Sequence, residues 1–367
     1  MNNVKVSIFA VAAAIPAISS AQSSVSISGL IDAGVSYVSN QHGGSSIMFD
    51  SGILSPSLLM LKGTEDLGGG SKAIFELTSQ FDIGSGKTIP ASGSIFDRTA
   101  LVGITNDRYG SITLGDQYEF MFDSLTVGNF DGAFLFGGLY DFRQGPFSKL
   151  GIPNNPTGSF DFDRMAGGTR VANSVKYRSP VLGGVSFGAM YGLGGKPGAF
   201  SANSTVSAGL NYEQGPLGLG AAYTSERYQD LGNGNDSIRN FGFGAHYAFG
   251  PVLGMLLYTN TKNTASNAGI NVYKAGAQWQ VSAPWVVGLD YTFMKGNDVL
   301  SNNKAHQISA AVQYLFSKRT LAYVELVHQR ASGDSNAGAW INGLFQTGSG
   351  SSTGVQTIVR LALQTKF

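Results

Sequence analysis

Several groups of residues in this chain are of types that could do chemistry. Asp116, Glu119 and Asp123 bunch within eight positions, and clustered carboxylates can serve as acid/base pairs, cation ligands or fixed charges. Gly84-Ser85-Gly86-Lys87-Thr88 spells the tail of a phosphate loop. Such a loop needs a glycine where Phe81 stands, and a following helix where Ile89-Pro90 stand, so an external loop is expected instead. Gly184-Val185-Ser186-Phe187-Gly188 fits the nucleophile-elbow spelling, but an elbow is a sharp strand-to-helix turn. Here Val185, Phe187, Ala189 and Tyr191 continue an alternating pattern, leaving Ser186 a hydroxyl on the polar face of a strand. The four histidines, His42, His246, His306 and His328, are scattered without metal-ligand spacing. None is singled out as half of a catalytic pair. No catalytic residue, metal or cofactor is therefore expected.

The elements that must position these residues are strands. From Val25 to Tyr37 apolar or small residues alternate with Ser26, Ser28, Asp32, Gly34 and Ser36. The same period of two recurs down the chain to the final segment, where Val359, Leu361, Leu363 and Phe367 share one face, with Thr365 the exception. A period of two describes a strand with different surroundings on its two sides. The bulk numbers agree. Charged residues make up 13% of the 367, against an ordinary quarter. There are 51 glycines, 11% aromatics and no cysteine, which excludes a disulfide scaffold or thiolate metal site. Beyond the N-terminus no apolar run approaches the roughly 18 residues of a membrane helix.

The N-terminus reads as an export signal covering residues 1–21. Lys5 is followed by an apolar run from Val6 to Ile18, then by Ser19-Ser20-Ala21. Its removal leaves one continuous domain, 22–367. The 24 basic residues then lose Lys5, leaving 23 against 23 acids. That balance argues against a nucleic-acid partner.

Short connections rich in Gly and Pro (66–70, 106–110, 180–184, 214–216, 250–251, 282–284, 317–319) alternate with longer loops rich in Asn, Ser and Gly. Short turns at one end and long loops at the other mark a transmembrane antiparallel β-barrel of the bacterial outer membrane. Seven clear short turns, with a weaker eighth near 38–56 or near the chain ends, predict sixteen strands. A Lys or Arg facing lipid at the bilayer midplane costs about 2–4 kcal/mol, so Lys62, Lys72, Glu76, Arg98, Lys176 and Asp290 are expected to face inward.

Residues 120–169 break the alternation. A loop of this length is seldom unstructured, and Phe120, Phe122, Phe130, Phe134, Phe136, Phe142 and Phe147 need burial. The expected place is the inner wall, where the loop would narrow the lumen and bring Asp131 into it. Asp116, Glu119 and Asp123 then have two readings: a solvated loop edge, or charges opposed across the lumen to Arg98, Arg170 and Lys176. Opposed charges are a common means by which a pore selects ions.

Ser28-Gly29-Leu30-Ile31-Asp32-Ala33-Gly34-Val35, Lys62-Gly63-Thr64-Glu65-Asp66-Leu67-Gly68-Gly69-Gly70, Phe96-Asp97-Arg98-Thr99-Ala100-Leu101-Val102-Gly103, Arg170-Val171-Ala172-Asn173-Ser174-Val175-Lys176-Tyr177 and the terminal Lys366-Phe367 resemble, in order, segments of the Gram-negative general diffusion porins, in particular the betaproteobacterial trimeric type. The resemblance implies a sixteen-stranded homotrimeric barrel, set among outer-membrane lipid and lipopolysaccharide, with a water-filled pore narrowed by its third long loop. It implies passive passage of ions and small hydrophilic solutes, with a substrate-specific channel as runner-up and a barrel enzyme or adhesin further off. Lys62, Arg98, Arg170 and Lys176 match basic positions of that family. Leu58 and Asp116 stand where relatives usually carry arginine, which implies an anion preference that is weakened or turned in favour of cations.

Overall fold

The computed structural model describes residues 23–89, 93–342 and 350–367, so the expected signal segment lies outside the described residues. The described chain forms one large antiparallel sheet closed on itself. Its strands are β1 (Ser24–Gln41), β2 (Gly44–Ser51), β3 (Leu58–Gly68), β4 (Ser71–Gln80), β5 (Thr99–Asn106), β6 (Gly110–Gln117), β7 (Val171–Arg178), β8 (Val185–Gly192) and β9 (Thr205–Gln214). They continue as β10 (Leu217–Arg227), β11 (Ser237–Phe249), β12 (Val252–Asn263), β13 (Gly269–Ser282), β14 (Trp285–Gly296), β15 (Lys304–Leu315), β16 (Thr320–Ser332) and β17 (Val355–Lys366).

Seventeen strands make sixteen staves, because β2 and β3 are two halves of one. Both pair with β1, β2 along Ala33–Gln41 and β3 along Ser24–Leu30. Between them Gly52 takes φ +68°, and the chain turns out of the ladder before Pro56. A residue with positive φ and a proline that cannot donate a ladder hydrogen bond together explain the break. The barrel closes where β17 pairs with β1, from Leu30 opposite Lys366 to Val38 opposite Ile358. The terminal Phe367 exchanges backbone hydrogen bonds with Gly29 at 3.0 and 3.1 Å, and a Cβ on Gly29 would overlap the Phe367 ring.

The short turns stand at one end as expected, and the start of β1 meets the end of β17 there, in place of an eighth turn. The 38–56 region is corrected: its tight turn, at His42-Gly43, joins β1 to β2 at the opposite, loop end. Gly84–Lys87 also proves to be a loop turn, closed by Gly86 donating to the Asp82 carbonyl.

Alternation sorts the faces. Val25, Ile27, Val102, Ile104, Phe243, Leu256, Leu289 and Leu361 are exposed on the outward face. Asp32, Ser36, Thr259, Thr261, Asp290, Gln329 and Arg360 are buried on the inward one. An apolar exterior around a polar interior inverts the usual water-soluble arrangement and suits lipid outside. Aromatics gather on the outward face, with Tyr247 against Phe249 at one end and Tyr258 against Tyr273 nearer the other. Such girdles mark the two membrane interfaces.

Candidate functional site: the long loop against the inward wall

Between β6 and β7 the chain leaves the wall for residues 118–170. It forms a π-helical turn (Met121–Thr126), the short helix α1 (Gly132–Gly137) and two 3-10 turns. Most of its described phenylalanines are buried: Phe120, Phe130, Phe136, Phe147, Phe160 and Phe162 are all at most 5% exposed, while Phe122 and Phe134 are half-buried. Inward glycines make room for several of them. A Cβ on Gly188 or Gly209 would overlap Phe120, one on Gly220 or Gly244 would overlap Phe130, and one on Gly288 would overlap Phe136. The strand glycines are thus sockets for the loop's rings.

Three polar clusters tie the loop down. Lys274, inward on β13, donates to Asp131 at 2.6 Å and to Asp141 at 2.9 Å, all three groups being fully enclosed. Arg143 pairs with Asp141 and, at 2.7 Å, with Asp163, which also accepts from Thr259 at 2.9 Å. A second cluster joins Arg164 to Glu226 and to Asn240, the latter at 3.1 Å. The third lies at the seam. Arg360 of β17 pairs with Asp32 of β1 at 2.8 Å and with Asp50 of β2. Tyr323 donates to Asp32 at 2.7 Å, and the loop's Tyr140 bonds Ser36 at 2.7 Å and Asp50 at 2.9 Å. Where the second stave breaks, Leu139 donates its backbone N–H to the Ile53 carbonyl at 2.7 Å. Further along, residues 142–143 pair with 341–342, so the last loop lies over the first part of this one.

The residues picked from the sequence have different fates. Lys62 faces inward, half exposed, with Glu76 3.0 Å away across the strands. Lys176 is inward and buried, donating to the Tyr118 carbonyl at 2.6 Å and pairing with Asp123, which Arg178 also engages. Arg98 is buried, donating to Gln80 at 2.5 Å, and flanks the Tyr118 ring together with Arg170. Arg170 also donates to the Asp97 carbonyl at 2.6 Å. Glu119 is fully buried and accepts from Met121 and Phe122 backbone N–H groups, and burial raises its pKa. Asp131 caps α1, accepting from the Phe134 N–H at 3.2 Å. Glu119 and Asp131 therefore hold the loop rather than face open space.

Asp116 requires a correction. It pairs with Ala100 and shares the outward face with Val102 and Leu114, whereas Thr113 and Lys176 lie opposite each other on the inward face. A bulge follows Gly115, which has φ +139°. Leu58 does point inward, pairing with Leu30 and Gln80. The inward His246 stacks on Phe130 and stands 3.3 Å from Glu213.

Sequence reasoning expected the charges of the loop, Asp141, Arg143, Asp163 and Arg164 among them, to point into the lumen, but it did not single out Lys274 or join these charges to partners. The available signal was Lys274 itself, a charge at an inward position of an alternating strand. Burial, reinforced by the Asp163 carboxylate, pushes Asp161 in the loop up to about 7 despite backbone hydrogen bonds from Ala166 and Gly168.

A closed sixteen-stave barrel with an apolar exterior, a polar interior and an inward-packed loop belongs to the class of outer-membrane channels, not to a class of enzymes. A family profile described as Gram-negative porin matches residues 9–334, and the chain belongs to that family. It is similar to outer membrane porin protein 32 of Delftia acidovorans, 32% identical over 355 residues, 93% of this chain and 95% of the relative. It is also similar to an outer membrane porin protein of Bordetella pertussis, 26% identical over 277 residues, 66% of this chain and 65% of that one. Among solved structures it is similar to an anion-selective porin from Comamonas acidovorans, with TM-score 0.76 and 26% identity over 94% of this chain and 100% of that one. The fold alone is shared with OmpT of Vibrio cholerae in a trimer form, at TM-score 0.65 and 12% identity, covering 94% and 99%. The protein is an outer-membrane porin, a passive channel.

Proposed function

We propose that the pore is narrowed by residues 118–170, and that ions and small hydrophilic solutes are sorted there by width and charge. The observation carrying this reading is the seating of the loop's phenylalanines in the inward glycine sockets. A loop held against one wall leaves the passage beside it, where Lys62 and Glu76 on the wall, and the half-exposed Arg178 next to the loop's Asp123, supply charge of both signs. Lys176 and Arg178 together outnumber Asp123, which favours a mild anion preference at that level. The anion-selective relative supports the same sign. Leu58, inward but apolar, is the position that weakens it. Assembly as a homotrimer fits the outward face of β1–β6, which carries Val25, Ile27, Ile47, Val102, Ile104 and Leu114 but few aromatics. Lipid would meet the opposite, aromatic-rich face.

Purified protein in a planar bilayer tests the reading. Stepwise, near-ohmic conductance in multiples of three, with a reversal potential modestly on the anion side in a salt gradient, is the expected result. Silent membranes, or a saturating current carried by one solute only, would favour a dedicated substrate channel instead.

A further inference from the structure

Three rings of the long loop are not seated in the wall. Tyr118 and Phe122 stack with centroids 4.3 Å apart, and Phe122 meets Phe134 edge-on at 6.1 Å. Gly167, at φ +67°, makes room for this row, since a Cβ there would overlap Phe122 and crowd Tyr118. Phe120, Phe130 and Phe136 fill glycine sockets, whereas these three rings keep part of their surface uncovered. They lie on the stretch that leaves the end of β6 and meets the broken second stave at Leu139. Surface left uncovered on a loop inside the barrel faces the lumen, so the row borders the passage.

The inward wall of β1–β5 carries apolar side chains of its own. Leu30 lies opposite Leu58, Met60 is the next inward position on β3, and Leu101 stands inward opposite Glu76. All four are half-buried, on a face that is otherwise mostly polar. Uncovered apolar surface of this kind, rimmed by polar residues, marks a place where a ligand is met.

Positive charge stands at one end of the ring row. The Arg98 and Arg170 guanidiniums lie 5.5 and 6.0 Å from the centre of the Tyr118 ring. Their hydrogen bonds go to neutral acceptors, the Gln80 amide and the carbonyls of Asp97, Gly167 and Gly168. The Arg170 Nε is enclosed without an acceptor, and the Asp97 carboxylate beside the pair accepts from neither arginine. A guanidinium holds a carboxylate by charge-assisted hydrogen bonds. An aromatic face gains from a second ring, stacked or edge-on, beyond the apolar area covered.

We propose that the narrowed passage favours flat aromatic monocarboxylates over compact anions of the same charge. The ring travels along Tyr118, Phe122 and Phe134 with Leu58 and Met60 across from it, and the carboxylate meets Arg98 and Arg170. The proposal rests on the reading of residues 118–170 as the constriction and names the class of solute sorted there.

The test uses the whole protein in planar bilayers. Bi-ionic reversal potentials are read with the sodium salts of acetate, benzoate and cyclohexanecarboxylate, each set against chloride. Width alone would pass acetate best. The expected order instead puts benzoate ahead of both others by about two- to tenfold, the range of one aromatic contact. In Phe122→Leu/Phe134→Leu, which keeps apolar bulk and removes two rings, the advantage of benzoate over cyclohexanecarboxylate should disappear. Benzoate behind acetate, benzoate level with cyclohexanecarboxylate, or an undiminished advantage in the double variant would each overturn the proposal. Should that variant not insert, Phe122→Leu alone carries the comparison, with a smaller advantage expected and an equal one overturning the proposal. The two levels separate cleanly. Channels that pass all three anions in proportion to their free mobilities strike the constriction itself, whereas channels that sort them by size alone strike only the solute class.

Discussion

Replacing Lys274 with methionine keeps the volume and removes one charge from an enclosed group. Two cations, Lys274 and Arg143, there face the three carboxylates Asp131, Asp141 and Asp163. Taking one cation away deepens the buried negative excess, and breaking a buried pair from one side costs about 3–5 kcal/mol. An independent bound comes from proton uptake. The loop can escape the penalty by protonating one aspartate, whose ordinary pKa is near 3.9, and holding that proton at pH 7 costs about 4 kcal/mol. The two routes agree. At about 1.4 kcal/mol per decade, the docked-to-undocked ratio of the loop falls by two to nearly four powers of ten. Only the loop is expected to loosen, since local opening draws on local contacts. The assay is single-channel recording: Lys274→Met should show larger or noisier conductance with the barrel still resistant to detergent. The same proton argument sets the pH response. At pH 5 the cost of holding the proton shrinks to about 1.5 kcal/mol, so recordings should quieten as pH falls. Conductance and noise identical to wild type at pH 7 would refute both the energetics and the role given to the loop.

Three other outcomes follow from the structure. Leu58→Arg places a cation on the inward face and should move the reversal potential toward anions, whereas Asp116→Arg, outward by register, should leave it where it is; a strong shift from Asp116→Arg would mean that the strand register at 110–117 is wrong. Asp161, at about 7 when folded against about 3.8 when free, contributes most in favour of the folded loop below pH 4. That contribution is lost as pH rises to 7, by as much as about 4 kcal/mol, so thermal stability should be higher at pH 5 than at pH 8 and the slope should flatten in Asp161→Asn. Gly29→Leu puts a side chain where the Phe367 ring packs; it should prevent barrel closure, read as loss of the folded band on unheated gels relative to the unsubstituted protein, and a normally folded product would show that the terminal ring is dispensable.

The barrel was legible because its signal is local. Alternation along β1 and β17 and the Gly-Pro turns need only neighbouring residues, and two unlike surroundings impose them everywhere. The inward placement of Lys62 and Lys176 followed from the cost of charge in lipid. Asp116 was not legible, since a one-residue change of register exchanges the faces and only its pairing with Ala100, in phase with Leu114, fixes its side. The broken second stave was hidden for a similar reason: Gly52 and Pro56 read as an ordinary loop until both halves are seen pairing with β1. The loop anchors were least visible. Lys274 with Asp131, or Arg164 with Glu226, are partners 143 and 62 positions apart, and no spacing rule connects them. Glu119 looked like a pore charge because its partners are backbone N–H groups that exist only once Met121–Thr126 has turned.

The seam cluster bears on the order in which the molecule is made. Tyr140 reaches Ser36 across 104 positions, Tyr323 reaches Asp32 across 291, and Arg360 reaches Asp32 across 328. Contacts between distant parts of a chain are slow to form, because the loop-closure entropy must be spent before they return anything. Asp50, which receives the loop's Tyr140, is also bound by Arg360 from the final strand, so the socket for that end of the loop is complete only when the last stave arrives. Docking of that end of the loop thereby waits on chain closure. A barrel still open at its edge can seat the loop's phenylalanines along β8–β14, while the Tyr140 end is fastened only with the finished wall.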